Sequence, residues 1–168
     1  LALNGKLASG KDTVAPAVLS RLGASDPRHL SYATALKNEV DLVVAQVSME
    51  SSPQEAAARV ADAMQIPLLD AGFVTGVLWQ PTRPDGHGLT ARSRTPEMRL
   101  VLQYWGTEVR RRQDGDYWVK RALRDAVSAL AQGSSVYFTD VRFPNEVEWA
   151  QKIGFPVIRL EVDAETQR

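Results

Sequence analysis

The chain has 168 residues, 44% of them hydrophobic and 24% charged, the balance of an ordinary globular protein with enough length for one domain and a buried core. Its 20 basic and 20 acidic residues cancel, so the charge points to neither a polymeric nucleic acid nor a membrane surface as partner. With no cysteine, disulfides and thiol chemistry are excluded, and with neither a signal peptide nor an apolar run of membrane-spanning length the expectation is a cytoplasmic protein.

Leu1 to Leu3 reads as a short strand, and a helix is expected from near Gly10. Between them Gly5 and Gly10 bracket four residues and Lys11 follows, the G-x-x-x-x-G-K part of the P-loop pattern. Glycines allow a tight loop whose N–H groups turn inward as a nest for phosphate oxygens. The following helix adds the positive end of its dipole, and Lys11 can reach outer phosphates as a mobile point charge. Where most P-loops have a metal-ligating Ser or Thr stands Asp12, with the hydroxyl one place later in Thr13. A carboxylate there suits Mg²⁺, which prefers oxygen ligands and keeps several waters. The competing reading is a glycine-rich turn that merely caps a helix.

Val14 to Leu22 continues the helix, with Pro16 expected to kink or loosen its first turns and Gly23 closing it. His29 to Tyr32 is a candidate second strand, and Thr34 caps a helix through Val47. Lys37, near that helix start, is either solvated or placed just past a strand end for a ligand. Ser52-Pro53-Gln54-Glu55 is a capping box opening a helix that buries Ala57, Val60, Ala61 and Met64. Residues 79–95, rich in Pro, Gly and Arg, read as a long mobile loop in which His87 is solvated.

Thr95-Pro96 opens a helix on which Leu102, Trp105 and Val109 can face the core. Arg99, Gln103 and Thr107, spaced by four, line one face of it. That face is either simply wet or apt for a phosphate and a base edge, and Gly106 within it allows close approach to the backbone. Arg110 to Arg112 is a charge run expected to be mostly solvated. Asp116 caps a helix from Tyr117 to Ala131 with Trp118, Ala122, Leu123, Ala126, Val127 and Leu130 as its apolar stripe. Trp118 is either a stacking surface or a core-edge aromatic.

Ser135 to Thr139 is a buried strand ending in Asp140, the place where a P-loop protein holds Mg²⁺ or its waters, and Arg142 follows within two residues. Pro144 opens a helix to Ile153 and Pro156 to Val162 is a last strand. The order describes an α/β fold with a mostly parallel sheet, whose ligands collect at the carboxyl ends of the strands. The P-loop, Lys37, Asp140 and Arg142 all fall there.

Three stretches resemble the bacteriophage-type deoxynucleoside monophosphate kinases of the P-loop nucleoside monophosphate kinase superfamily. They are Gly5 to Ala15, Leu102 to Arg110 together with Trp118, and Thr139-Asp-Val-Arg-Phe-Pro-Asn-Glu146, with Ala35-Leu-Lys37 as a weaker fourth. The resemblance implies a single P-loop NTPase domain over 1–168, three-layered, with helices on both faces of the sheet. It implies transfer of the ATP γ-phosphate to a deoxynucleoside 5′-monophosphate, with ATP and Mg²⁺ required. Gly5, Ala8, Ser9, Gly10, Lys11, Asp12 and Thr13 would hold ATP; Asp12, Thr13 and Asp140 would organise Mg²⁺. Lys37, Arg99 and Arg142 would grip the monophosphate, while Gln103, Thr107 and Trp118 would face its base and sugar. Lys11, Arg142 and Asp140 are thus the expected catalytic set.

An arginine-bearing lid and a further strand are implied after Val162, and the sequence stops at Arg168, so it reads as a piece of a longer chain whose lid arginines are not assigned. The remaining alternatives are another small-molecule P-loop kinase, acting on dephospho-coenzyme A or phosphomevalonate, and a non-catalytic nucleotide-binding module. The expected partner is a small nucleotide, in the host cytoplasm for a phage protein. The Trp- and Leu-bearing helices could supply a homodimer face.

Overall fold

The computed structural model describes residues 1–5, 10–79 and 90–161. The strands are β1 (Ala2–Gly5), β2 (Pro27–Leu30), β3 (Ser135–Val141) and β4 (Val157–Leu160). The helices are α1 (Lys11–Arg21), α2 (Tyr32–Ser48), α3 (Pro53–Met64), α4 (Leu68–Leu78), α5 (Pro96–Tyr104), α6 (Tyr117–Ala131) and α7 (Pro144–Lys152), with a π-helical turn, Trp105–Arg111, continuing α5. The chain forms two compact units, Leu1–Thr34 with Asp116–Arg168, and Ala35–Gly115.

The first unit is an α/β layer structure. Its four strands pair in parallel in the order β2-β3-β1-β4. Alternation along β1 sends side chains to opposite faces. Leu1 and Leu3 pack with Ala15 and Leu19 of α1, whereas Ala2 joins Phe138 and the alanines of α6 and α7. Helices therefore cover both faces, and a parallel sheet needs that because each face must be buried. All the carboxyl ends lie at one edge of the sheet.

The second unit is helical, with Val40, Val43, Val60, Val74, Met98, Val101 and Trp105 among its buried residues. Ser52 caps α3 as expected, its Oγ accepting from the Glu55 amide at 3.2 Å and donating to the Glu55 carboxylate at 2.9 Å. Likewise Thr95 Oγ1 accepts from the Met98 amide at 3.2 Å. Helix α4 is absent from the expectations because its sequence is apolar nearly all round and carries two glycines, which hides a 3.6-residue period. Among the described residues no helix is long and apolar enough to cross a membrane.

Several boundaries differ from expectation. α1 continues past Pro16 to Arg21, with the proline ring exposed and no amide there to bond the Asp12 carbonyl. α6 keeps its span but turns a different stripe inward: Val119 and Ala129 are buried, and Val127 and Leu130 are exposed. The small alanines let the helix sit close on the sheet, so bulk is not the guide to the inner face. Of the loop expected over 79–95, residues 90–95 are tied down by Asp41, which accepts from the Ala91 amide at 2.6 Å and pairs with Arg92 at 3.1 Å. His87 and the rest of that loop over 80–89 lie outside the described residues, as does Val162.

Candidate functional site

At the carboxyl edge of the sheet, β1 ends at Gly5 and α1 begins after Gly10, which takes φ +75°, a left-handed conformation strained for any side chain. Lys11, in the first turn of α1, folds back so that its Nζ donates to the Gly5 carbonyl at 2.9 Å. The ammonium is thus held at the mouth of the loop. Ala8 and Ser9, expected to offer loop amides, lie outside the described residues. Asp12 and Thr13 are exposed on the same turn.

A cavity of about 450 Å³ opens beside this mouth, lined by Asn4, Gly5, Arg142, Arg159, Leu160 and Glu161 among others. The register explains its shape. Asn4 lies opposite Val141 of β3 on one side and Arg159 of β4 on the other, and its Nδ2 donates to the Val141 carbonyl at 2.8 Å. Arg142 and Arg159 therefore flank the end of β1. Arg159, paired with Glu161 at 3.1 Å on the surface, was missed in the sequence. Its signal was a guanidinium in an otherwise apolar strand.

Asp140 does more than end a strand. Its carboxylate accepts from Ser31 Oγ at 2.7 Å, from the Ala33 amide at 2.9 Å and from the Tyr32 amide at 3.3 Å. These are donors at the start of α2, so Asp140 satisfies orphan amides of a helix remote in sequence and sits at the positive end of its dipole. This is why α2 begins two residues before Thr34, the expected cap.

The Asp-Val-Arg-Phe-Pro-Asn-Glu segment is also tied by its own side chains. Glu146, 1% exposed, accepts from the Arg142 amide at 2.7 Å and the Phe143 amide at 3.1 Å. The pair fixes the turn that carries Arg142, whose own side chain is exposed. Asn145 Nδ2 donates to Asp116 Oδ1 at 2.9 Å. Asp116 stands at the expected N-cap of α6, its carbonyl accepting from the Lys120 amide at 2.8 Å, but its side chain makes no cap hydrogen bond. Trp118 is 3% exposed and stands edge-on to Tyr117 with ring centroids 4.9 Å apart. It offers no open ring face for stacking.

In the second unit, Arg99, Gln103 and Thr107 are all exposed, and Lys37 of α2 is half-buried. The helix carrying the three is not α-helical throughout, since from Trp105 it widens into the π-turn. Arg110 is 7% exposed rather than solvated, and its Nε donates to Glu39 Oε1 at 2.5 Å, while its Nη1 donates to the Met64 carbonyl at 3.0 Å. Trp105 Nε1 donates to the same Glu39 oxygen at 3.0 Å. Glu39 was not singled out in the sequence, where a carboxylate at a mid-helix position looks solvated.

For the expected divalent cation, no three or more His, Cys, Asp or Glu gather into a metal-holding group among the described residues. The donors present are Asp12 and Thr13, exposed, and Asp140, whose oxygens already accept three hydrogen bonds. That set does not make an all-protein cage.

The structure therefore places Lys11, Asn4, Gly5 and Arg142 together at one sheet edge, and leaves Arg99, Gln103 and Thr107 each exposed along α5 and its π-turn. A comparison with models of known protein families found none that matches this chain, and a search of curated proteins returned no match.

Proposed function

We propose that this chain is a P-loop kinase for a small phosphorylated acceptor, and within that class a deoxynucleoside monophosphate kinase that converts a dNMP and ATP to the dNDP and ADP. The observation that carries the reading is Lys11 held at 2.9 Å from the Gly5 carbonyl, beside the cavity that Arg142 lines at the carboxyl edge of a parallel sheet. Cationic groups and a helix N-terminus there suit a polyphosphate.

In this reaction a monophosphate oxygen attacks the γ-phosphorus, and the bond to the β–γ bridging oxygen breaks as ADP leaves. Catalysis is then mostly alignment and neutralisation of oxygens, and needs no nucleophilic side chain. Lys11, with the loop from Gly5 through Ala8 and Ser9 to Gly10, serves the ATP phosphates. Arg142, kept in place through Glu146, serves the transferred group, with Lys37 and Arg99 for the monophosphate and Gln103 and Thr107 for base and sugar. Mg²⁺, when bound, neutralises phosphate charge, and Asp12, Thr13 and Asp140 are its oxygen donors. Trp118 is left to packing by its burial.

The test is ³¹P NMR of the protein with ATP, Mg²⁺ and, in turn, each dNMP, dephospho-coenzyme A and phosphomevalonate. A new diphosphate signal with a dNMP supports the reading. A signal with another acceptor alone would move the protein to that kinase class, and none with any acceptor would overturn kinase activity.

A further inference from the structure

The buried pair Glu39 and Arg110 is unexplained by the reaction, and the geometry around it is unusual. Trp105 and Arg110, both bonded to one oxygen of Glu39, are five residues apart. In an α-helix, five residues rotate a side chain to about 140° from the first, so the two would leave the helix on different sides. In a π-turn, closed by bonds across five residues, they stack on one side. The turn has that bonding: the Arg112 amide donates to the Thr107 carbonyl, five residues back. The Arg110 guanidinium also lies over the Trp105 ring, 5.3 Å from its centroid.

We infer that Glu39 is a positioning residue that selects the π-turn over the α-helix and thereby aligns Thr107 with Gln103 and Arg99 on the acceptor face. The role of that face rests on the proposed kinase function; the clamp itself does not. In a continuous α-helix, four residues overshoot a turn by about 0.4 residue, so groups spaced by four drift round the axis. A π-turn holds more than four residues per turn, so there four residues fall slightly short instead. Widening the helix after Tyr104 thus brings Thr107 back towards the line of Arg99 and Gln103, all three of which are exposed. Gly106, buried within the turn, supplies the backbone tolerance. A clamp built from a charged carboxylate, a guanidinium and an indole donor gives one defined register, the use for which buried ion pairs are best attested.

The test uses Glu39→Gln, which keeps the shape and loses the charge, and Trp105→Phe, which removes the indole donor together with part of a buried ring. In the nucleotide-free protein, amide hydrogen exchange at Arg110, Arg111 and Arg112 should quicken in both variants while the amides of α3 stay protected. Unchanged protection at those three amides in both variants would overturn the clamp. In the folded variants the KM for the dNMP should rise about tenfold or more, the KM for ATP staying within about twofold, as expected when an orienting group shifts. Equal change in both constants, or in neither, would overturn the alignment of the acceptor face. A wild-type protein whose Arg99, Gln103 and Thr107 amides ignore every dNMP would overturn the kinase reading and the alignment with it, and the exchange result would still decide the clamp.

Discussion

Asp140→Ala separates two roles that the sequence merges into one. A carboxylate kept only for metal is a burden in the metal-free protein, and its removal should leave stability unchanged or raised. The structure gives Asp140 structural work instead: two short hydrogen bonds, from Ser31 Oγ at 2.7 Å and the Ala33 amide at 2.9 Å, and a longer one from the Tyr32 amide at 3.3 Å. A capping carboxylate contributes about 1 kcal/mol, its interaction with the helix dipole about 0.3–1 kcal/mol, and a hydrogen bond to a charged group about 1.5–3 kcal/mol. These overlap and the group is only half-buried, so the expected loss is about 2–3 kcal/mol. Urea unfolding followed by circular dichroism, without nucleotide or Mg²⁺, reads it directly. With a slope of about 2 kcal/mol per molar urea, the midpoint should fall by about 1–1.5 M. A midpoint that stays in place or rises would refute the latch and return Asp140 to a purely ligand-directed role.

Lys11→Ala should abolish phosphoryl transfer while the protein stays folded, since the bond it loses to the Gly5 carbonyl is only part-buried; turnover that survives in the steady-state assay would remove the phosphate role. Trp118→Ala should cost about 3–5 kcal/mol in a denaturant titration, as for other buried indoles, and a stable variant with selectively weakened dNMP binding would instead restore the stacking role. The Tyr104 hydroxyl donates to Asp70 at 2.7 Å, and that hydrogen bond, then burial, then the nearby carboxylate charge, raise its pKa above the ordinary value. The folded state therefore holds the phenol proton more tightly than the unfolded chain. Its stabilisation is present below about pH 10 and lost as pH rises through the raised value. The stability advantage of wild type over Tyr104→Phe should shrink in alkaline solution, and an advantage constant across that range would contradict the assignment.

The first unit was legible because its signals are local. Strands β1 and β3 are short apolar runs, and Gly10, Gly133 and Gly154 stand at the left-handed positions that end or begin helices. In the second unit the helix starts at Ser52 and Thr95 were equally legible, because they follow from hydrogen bonds within four residues. What stayed hidden depends on partners far along the chain. Asp140 caps a helix more than a hundred residues earlier, and Glu39 meets Arg110 across an intervening stretch that no local pattern spans. Trp118 and Arg110 show the same limit from the other side. Their residue types suggest a ligand surface and a solvated charge, and tertiary packing buries both. The π-turn left no trace in the spacing, because Arg99, Gln103 and Thr107 look evenly spaced until one knows that the helix widens between them.

The central claim is acceptor-dependent phosphoryl transfer. It is tested most directly by a coupled ADP-release assay with ATP, Mg²⁺ and each of the four deoxynucleoside monophosphates, wild type beside Lys11→Ala. ADP release should require at least one of the four and vanish in the variant. No release with any of them, from a protein that measurably binds ATP, would contradict it.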